Sequence, residues 1–168
     1  MFTLKNMFTP LFFLLLYGTF FHYVYDAIGS NLIINMFVPI NESVWEHMKM
    51  LFYPSLAFFL LNYMDNTGST YIVSYVTGVT FSIVFCIVSY YIYDRFFPGI
   101  SEVLNIVFYY ISFASIFGIM YVMNYVLEPL SDDFNFICEI ILISYVCIFC
   151  FYTYLPPNLD LFLDKSRV

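Results

Sequence analysis

Few residues in this chain could do chemistry, and they fall close together. His22 and Asp26 stand four residues apart, as do Glu42 and Glu46, with Trp45 and His47 flanking the second pair. On a helix, i,i+4 spacing puts two side chains on one face, so each segment can offer two groups to one neighbour. Helical geometry turns His47 roughly 100° away from Glu46, and Lys49 follows Trp45 by one turn. Asn41, just ahead of this set, suits a helix N-cap. Imidazoles and carboxylates in this pattern can hold a cation, hydrogen-bond a small polar ligand or take part in a proton step. They are also zinc ligands, so His22, Asp26, Glu46 and His47 are candidates for a divalent metal such as zinc, with a position left for water. Two histidines in the whole chain exclude a three-histidine zinc site. No HExxH, GxSxG or phosphate-cradling glycine loop accompanies them.

The elements that must position these groups follow from composition. Of 168 residues, 62% are apolar and 10% charged, with a mean hydropathy of +0.86. A water-soluble domain carries about 25% charged residues, and a chain this short has no core large enough to absorb the excess. The reading is a multi-spanning integral membrane protein whose first partner is the lipid bilayer. Five Lys and Arg against twelve Asp and Glu give a net charge of −7. That balance argues against nucleic acid and against a polybasic surface for anionic lipid. Cys86, Cys138, Cys147 and Cys150 all sit in apolar runs. They read as buried small hydrophobes, the Cys147/Cys150 spacing notwithstanding, because nothing electropositive surrounds them.

A helical crossing takes about 20 mostly apolar residues. Five such runs are present, over about 7–25, 44–64, 71–93, 103–127 and 134–154. They are separated by Asp26, Asn41-Glu42-Ser43, Asp65-Asn66-Thr67-Gly68, Asp94-Arg95 with Pro98-Gly99, and Glu128-Pro129; Pro156-Pro157 ends the fifth. The first lacks a small-residue cleavage site after it, so a cleavable signal peptide is not expected. None shows the period-2 alternation of a barrel strand. The expected fold is all-α: a bundle of five transmembrane helices in one domain, 1–168. Leu32 to Pro39, too short to cross, is expected as a re-entrant or interfacial segment between the first two. Pro54 predicts a local kink in the second span.

With five spans, Lys5 lies on one side and Lys49, Arg95, Lys165 and Arg167 on the other. The positive-inside rule then puts the N-terminus outside and the C-terminus in the cytoplasm. The same topology gathers Asp26, Glu42, Asp94, Arg95, Glu102 and Asp160 at the cytoplasmic face, where Asn41-Glu42-Ser43 would be unusable as a glycosylation sequon.

The stretch Pro39-Ile40-Asn41-Glu42-Ser43-Val44-Trp45-Glu46-His47 resembles the signature of a family of small bacterial multi-spanning membrane proteins, known only as a domain of unknown function. Tyr25-Asp26, Leu51-Phe52-Tyr53-Pro54, and Pro156-Pro157 with Phe162-Leu163-Asp164 extend the likeness over nearly the full length. The resemblance implies a bacterial cell-membrane protein of this size. It implies no activity.

Three functions fit the residues. The first is binding a cation or small polar ligand in a cytoplasmic-side pocket, with His22 and Asp26 facing Glu42 and Glu46 or His47 under a cap formed by Pro157 to Asp160. Nearby acids repel, so such a pocket needs a shared proton, a cation or a protonated histidine. The second is a membrane-embedded metal-dependent hydrolase using His22, His47 and carboxylates. The third is assembly with a partner membrane protein or as a homo-oligomer. Helix capping alone, with Trp45 as an interfacial anchor, accounts for Asn41 and Glu42 but leaves His22, Asp26 and His47 without a role. The lack of internal repeats weighs against an inverted-repeat transporter.

Overall fold

A chain of apolar runs broken by Asp, Gly and Pro should fold as helices that stop at those breaks, and it does. The structure, a computed structural model, describes residues 31–63, 69–97, 102–128 and 132–164, together with 16–18, 20–21, 23–24, 27 and 29. Among them are four long helices, α1 (Val44–Tyr63), α2 (Ser69–Phe96), α3 (Glu102–Val126) and α4 (Asp132–Tyr154), and no strand. These helices coincide with the second to fifth expected spans to within three residues at every end. Residues 16–18, 20–21, 23–24 and 27 are helical as well; the rest of the 7–25 run lies outside the described residues. Three described helices are long and apolar enough to cross a membrane: Thr70–Phe96, Ile106–Val126 and Asp133–Tyr154. Helix α1, which carries Glu46, His47 and Lys49 in its first two turns, is not among them.

The bundle is organised around the α2/α3 pair. Ser74, Gly78, Ser82 and Cys86 recur every fourth residue on α2, making a seam of small side chains that lets a second helix approach. A Cβ added to Gly78 would come within 2.8 Å of the Ile116 carbonyl oxygen, so the two backbones nearly touch there. Across the seam Asn124 Nδ2 donates to Ser74 Oγ at 2.7 Å, Ser82 and Ser115 hydroxyls meet at 2.7 Å, and Cys86 Sγ donates to Ser112 Oγ at 3.0 Å. Rising numbers on α2 meet falling numbers on α3, so the pair is antiparallel.

Helix α1 packs on this pair through aromatic rings. Phe59 stacks on Tyr75 at 4.4 Å, Phe58 meets Phe117 edge-on at 5.4 Å, and Phe52 stacks on Phe149 of α4 at 5.0 Å. The helix continues through Pro54, although proline has no N–H for the carbonyl four residues back. That carbonyl belongs to Met50, and the Tyr109 hydroxyl of α3 donates to it at 3.2 Å. Gly18 lies against the same spot: a Cβ there would reach 2.6 Å from the Tyr109 oxygen.

Helix α4 turns part of its surface outward, which corrects one expectation about the cysteines. All four are free thiols; Cys138 is buried, Cys86 and Cys150 are half-buried, and Cys147 is exposed. Cys147 shares the outer side of α4 with exposed Ile140, Ile143 and Phe151, so its apolar surroundings lie on the outside of the bundle.

Candidate functional site

Four elements meet at the start of α1. Ser43 caps the helix: its hydroxyl accepts from Glu46 N–H at 3.3 Å and its carbonyl from His47 N–H at 3.1 Å. Asn41 accepts from Ser43 N–H at 2.9 Å, so it shapes the turn before the cap and is not the cap itself. Upstream, Asn31 Oδ1 accepts from Ile33 and Ile34 N–H at 3.0 and 3.2 Å and starts a short 3₁₀ turn, Ile34–Met36. The segment expected to be re-entrant or interfacial is therefore a turn folded back over α1. The end of α4 reaches it where the Tyr154 hydroxyl donates to the Leu32 carbonyl.

This folded-back segment exists around one cation. Lys49, fully buried, places Nζ 2.6 Å from Glu46 Oε2, 3.0 Å from the Asn35 carbonyl and 3.3 Å from the Val38 carbonyl. Three ammonium protons thus meet three acceptors. Glu46 is 3% exposed, and the same oxygen also accepts from Ile40 N–H at 3.0 Å. Burying either charge alone would be costly; pairing and complete hydrogen bonding offset that cost. Chemically, Glu46 is a carboxylate already satisfied by an internal ammonium.

Glu42 and Glu46 do not share a face. Helical periodicity starts only at Val44, so Glu42, ahead of the cap, turns toward His47 with Oε2 3.5 Å from Nε2. The other ring nitrogen of His47 lies 2.9 Å from the Ser43 carbonyl, to which it donates. Glu42 and His47 form the half-exposed rim of the site, and Glu46 with Lys49 its buried floor.

Trp45 is no exposed anchor. It is 8% exposed, stacked on Phe162 at 4.7 Å and packed against Phe149 at 4.9 Å and Tyr152 at 5.5 Å. Phe162 belongs to a second 3₁₀ turn, Asp160–Phe162, held from the other side by the Tyr90 hydroxyl donating to the Asp160 carbonyl at 3.3 Å. The C-terminal segment therefore lies over the start of α1. Two buried polar atoms, Trp45 Nε1 here and Asn35 Oδ1 on the first 3₁₀ turn, are shielded from solvent and have no hydrogen-bond partner among the described residues.

His22 and Asp26 lie outside the described residues, and so does their facing onto Glu42, Glu46 and His47. Among the described residues no three His, Cys, Asp or Glu side chains come together as a metal-ion set. Sequence reasoning left Lys49, Asn35 and Ser43 out of the site. Two signals were present: the i,i+3 spacing of Glu46 and Lys49, and a lone Asn inside the apolar stretch Leu32 to Pro39.

A family model described as a family of unknown function, DUF6512, matches residues 3–167. No curated protein and no solved structure matches the chain.

Proposed function

The chain belongs to DUF6512, and from that premise we propose a small polytopic membrane protein of the bacterial cell membrane that binds a cation or small polar ligand at the start of α1. Membrane residence is supported by three helices of spanning length and by the large apolar residues they expose, such as Ile92, Val126 and Ile143, a surface that lipid would cover. The proposed topology keeps five spans in one domain. Helix α1 enters the membrane with its two full charges neutralised against each other, which lowers the penalty of carrying them. Lys49 is buried and takes no part in the charge balance of the loops. Arg95, Lys165 and Arg167 against Lys5 still favour the N-terminus outside and the C-terminus in the cytoplasm.

The carrying observation is the buried Glu46–Lys49 pair, together with two buried polar atoms that lack a partner: Asn35 Oδ1, on a residue whose backbone carbonyl holds Lys49, and Trp45 Nε1, on the residue one turn before it. A bundle that buries polar groups normally gives each a partner, and an orphaned donor and acceptor at a pre-formed polar junction mark the place of a guest. His22 and Asp26 of the first span are proposed as its remaining walls. Native mass spectrometry of the full chain purified from bacterial membranes tests this reading. The expected result is a stoichiometric small-molecule or cation adduct that Trp45→Phe weakens. Protein carrying only lipid and detergent overturns it. An equimolar zinc content instead would favour a metal-dependent hydrolase built on His22, Asp26, Glu46 and His47, in which Glu46 must first leave Lys49.

A further inference from the structure

We propose that Cys147 and Cys150 are a redox-active dithiol, oxidised to a disulfide by a quinone dissolved in the bilayer. The inference goes beyond the ligand site at the start of α1 and shares with it only the reading that α4 spans a membrane. Both thiols are free, with Cys147 exposed and Cys150 half-buried. Helix α4 runs unbroken from Asp132 to Tyr154, and Cα atoms three residues apart on such a helix stand about 5 Å from each other. That separation lies inside the window of about 4.4–6.8 Å that a disulfide accepts. The other two cysteines are placed differently: Cys86 is bonded to Ser112 in the α2/α3 seam, and Cys138 is buried.

The pair has two unlike sides. On the outer side Cys147 stands among exposed Ile140, Ile143, Ile148 and Phe151, a surface that lipid covers where α4 is a span. Water-soluble oxidants do not partition there; a quinone does. On the inner side the Tyr53 hydroxyl of α1 lies 3.6 Å from the Cys150 sulfur. Lys49, one turn before Tyr53 and on the same face, is near enough for its charge to act on that sulfur. A hydroxyl and a cation beside a sulfur favour the charge it carries during thiol–disulfide exchange. Spacing along α4 announces neither neighbour, because both belong to α1.

The reaction balances within the pair and one quinone. The Cys147 sulfur gives up its proton and bonds to the quinone. The Cys150 sulfur, likewise deprotonated, then attacks the Cys147 sulfur. The S–S bond forms as the sulfur–quinone bond breaks, that electron pair stays with the ring, and the two thiol protons complete the quinol. Cβ atoms three residues apart on a helix stand about 5–6 Å from each other, wider than the roughly 3.5–4.5 Å of a bridge, so closing the bond draws in the turn. Tyr154 ends the helix one turn later, which gives that turn room to move. A bridge closed against its surroundings is readily reduced. Its formation therefore needs a strong oxidant, which a quinone is and glutathione disulfide is not.

The test uses the full chain, reduced, in phosphatidylcholine nanodiscs. Decylubiquinone, which enters the bilayer, is compared with oxidised glutathione, which stays in water. Thiol counting, quinol absorbance and peptide mass spectrometry read the outcome. The expected result is two thiols lost and one quinol formed per chain, a Cys147–Cys150 bridge in the peptide map, and no such bridge from oxidised glutathione. Cys147→Ser and Cys150→Ser should each abolish quinol formation, whereas Cys86→Ser and Cys138→Ser should keep it. The wild-type peptide map stands even if one of these variants misfolds. Thiols that survive decylubiquinone, a lasting quinone adduct on Cys147, or bridges that leave out either member of the pair overturn the proposal. Oxidised glutathione acting as fast as the quinone overturns it as well, and counts against α4 as a span. A missing adduct in the native mass spectrum bears on the ligand reading alone.

Discussion

The α2/α3 seam and the start of α1 both bury polar groups, and they solve the problem in different ways. In the seam the groups are neutral. Ser82 reaches the Gly78 carbonyl at 2.9 Å and Ser112 the Phe108 carbonyl at 2.7 Å, each four residues back on its own helix. Contacts across the seam add to bonds the helix already provides, so small residues at four-residue spacing suffice. An ammonium has three protons to place, and a carbonyl already in the helix ladder has only its second lone pair left, within reach of a short side chain on its own helix. Lys49 instead takes two carbonyls from outside the long helices, one at Asn35 in the short 3₁₀ turn and one at Val38 just after it. Neutral polar groups can be buried by regular helices alone; this full charge is buried with an irregular segment folded over it. That difference gives the stretch just before α1 a physical reason to fold back.

The comparison is tested hardest at Lys49. Lys49→Met leaves the Glu46 carboxylate buried beside two unmet carbonyls, and should cost about 3–5 kcal/mol of apparent stability. Adding Glu46→Leu should recover much of that loss, because replacing both members of a buried pair by apolar residues is often near neutral. Circular dichroism of detergent-solubilised protein during denaturant titration reads both. A single variant as stable as wild type would mean that the pair is not closed in solution, and the contrast between the regions would fail.

A second expected effect is smaller and lies between the two regions. Tyr109→Phe removes the donor to the Met50 carbonyl that Pro54 leaves without a partner. Its expected cost is about 1–2 kcal/mol, the range for an unmet buried acceptor. In a Pro54→Ala background the helix supplies its own N–H to Met50, so the same tyrosine change should cost almost nothing. Equal costs in both backgrounds would show that the hydroxyl is not compensating for the proline.

Most of the fold was legible because apolar runs and their breaks are local signals. Asp65 to Gly68 and Pro98-Gly99 sit where α1 and α2 end, and no tertiary knowledge is needed to place them. The site was only half legible. Glu42 and Glu46 look equivalent by spacing, yet one turns to the rim and the other inward, because the cap falls at Ser43 and a one-residue difference in helix start decides which side chains share a face. Trp45 looked like an anchor because nothing local announces that Phe162, more than a hundred residues later, stacks on it. The seam went unread for a related reason: Ser74, Gly78, Ser82 and Cys86 form a stripe only to a reader seeking close helix contact, and Ile116 opposite Gly78 is known only from the fold.

The seam itself should yield the smallest effect. Ser82→Ala removes a hydroxyl that meets Ser115 at 2.7 Å, but Ser115 keeps its own bond to the Ser112 carbonyl at 2.7 Å. The Gly78 carbonyl stays in the helix ladder, and the added apolar volume is nil, so no cavity or clash follows. Interhelical hydrogen bonds of this kind in membrane proteins average about 0.6 kcal/mol, and a loss of that size is expected in the same denaturant titration. A loss near that of Lys49→Met would mean that the seam hydroxyls act as a coupled network rather than as additions to self-sufficient helices. Neutral and charged burial in this bundle would then obey one rule instead of two.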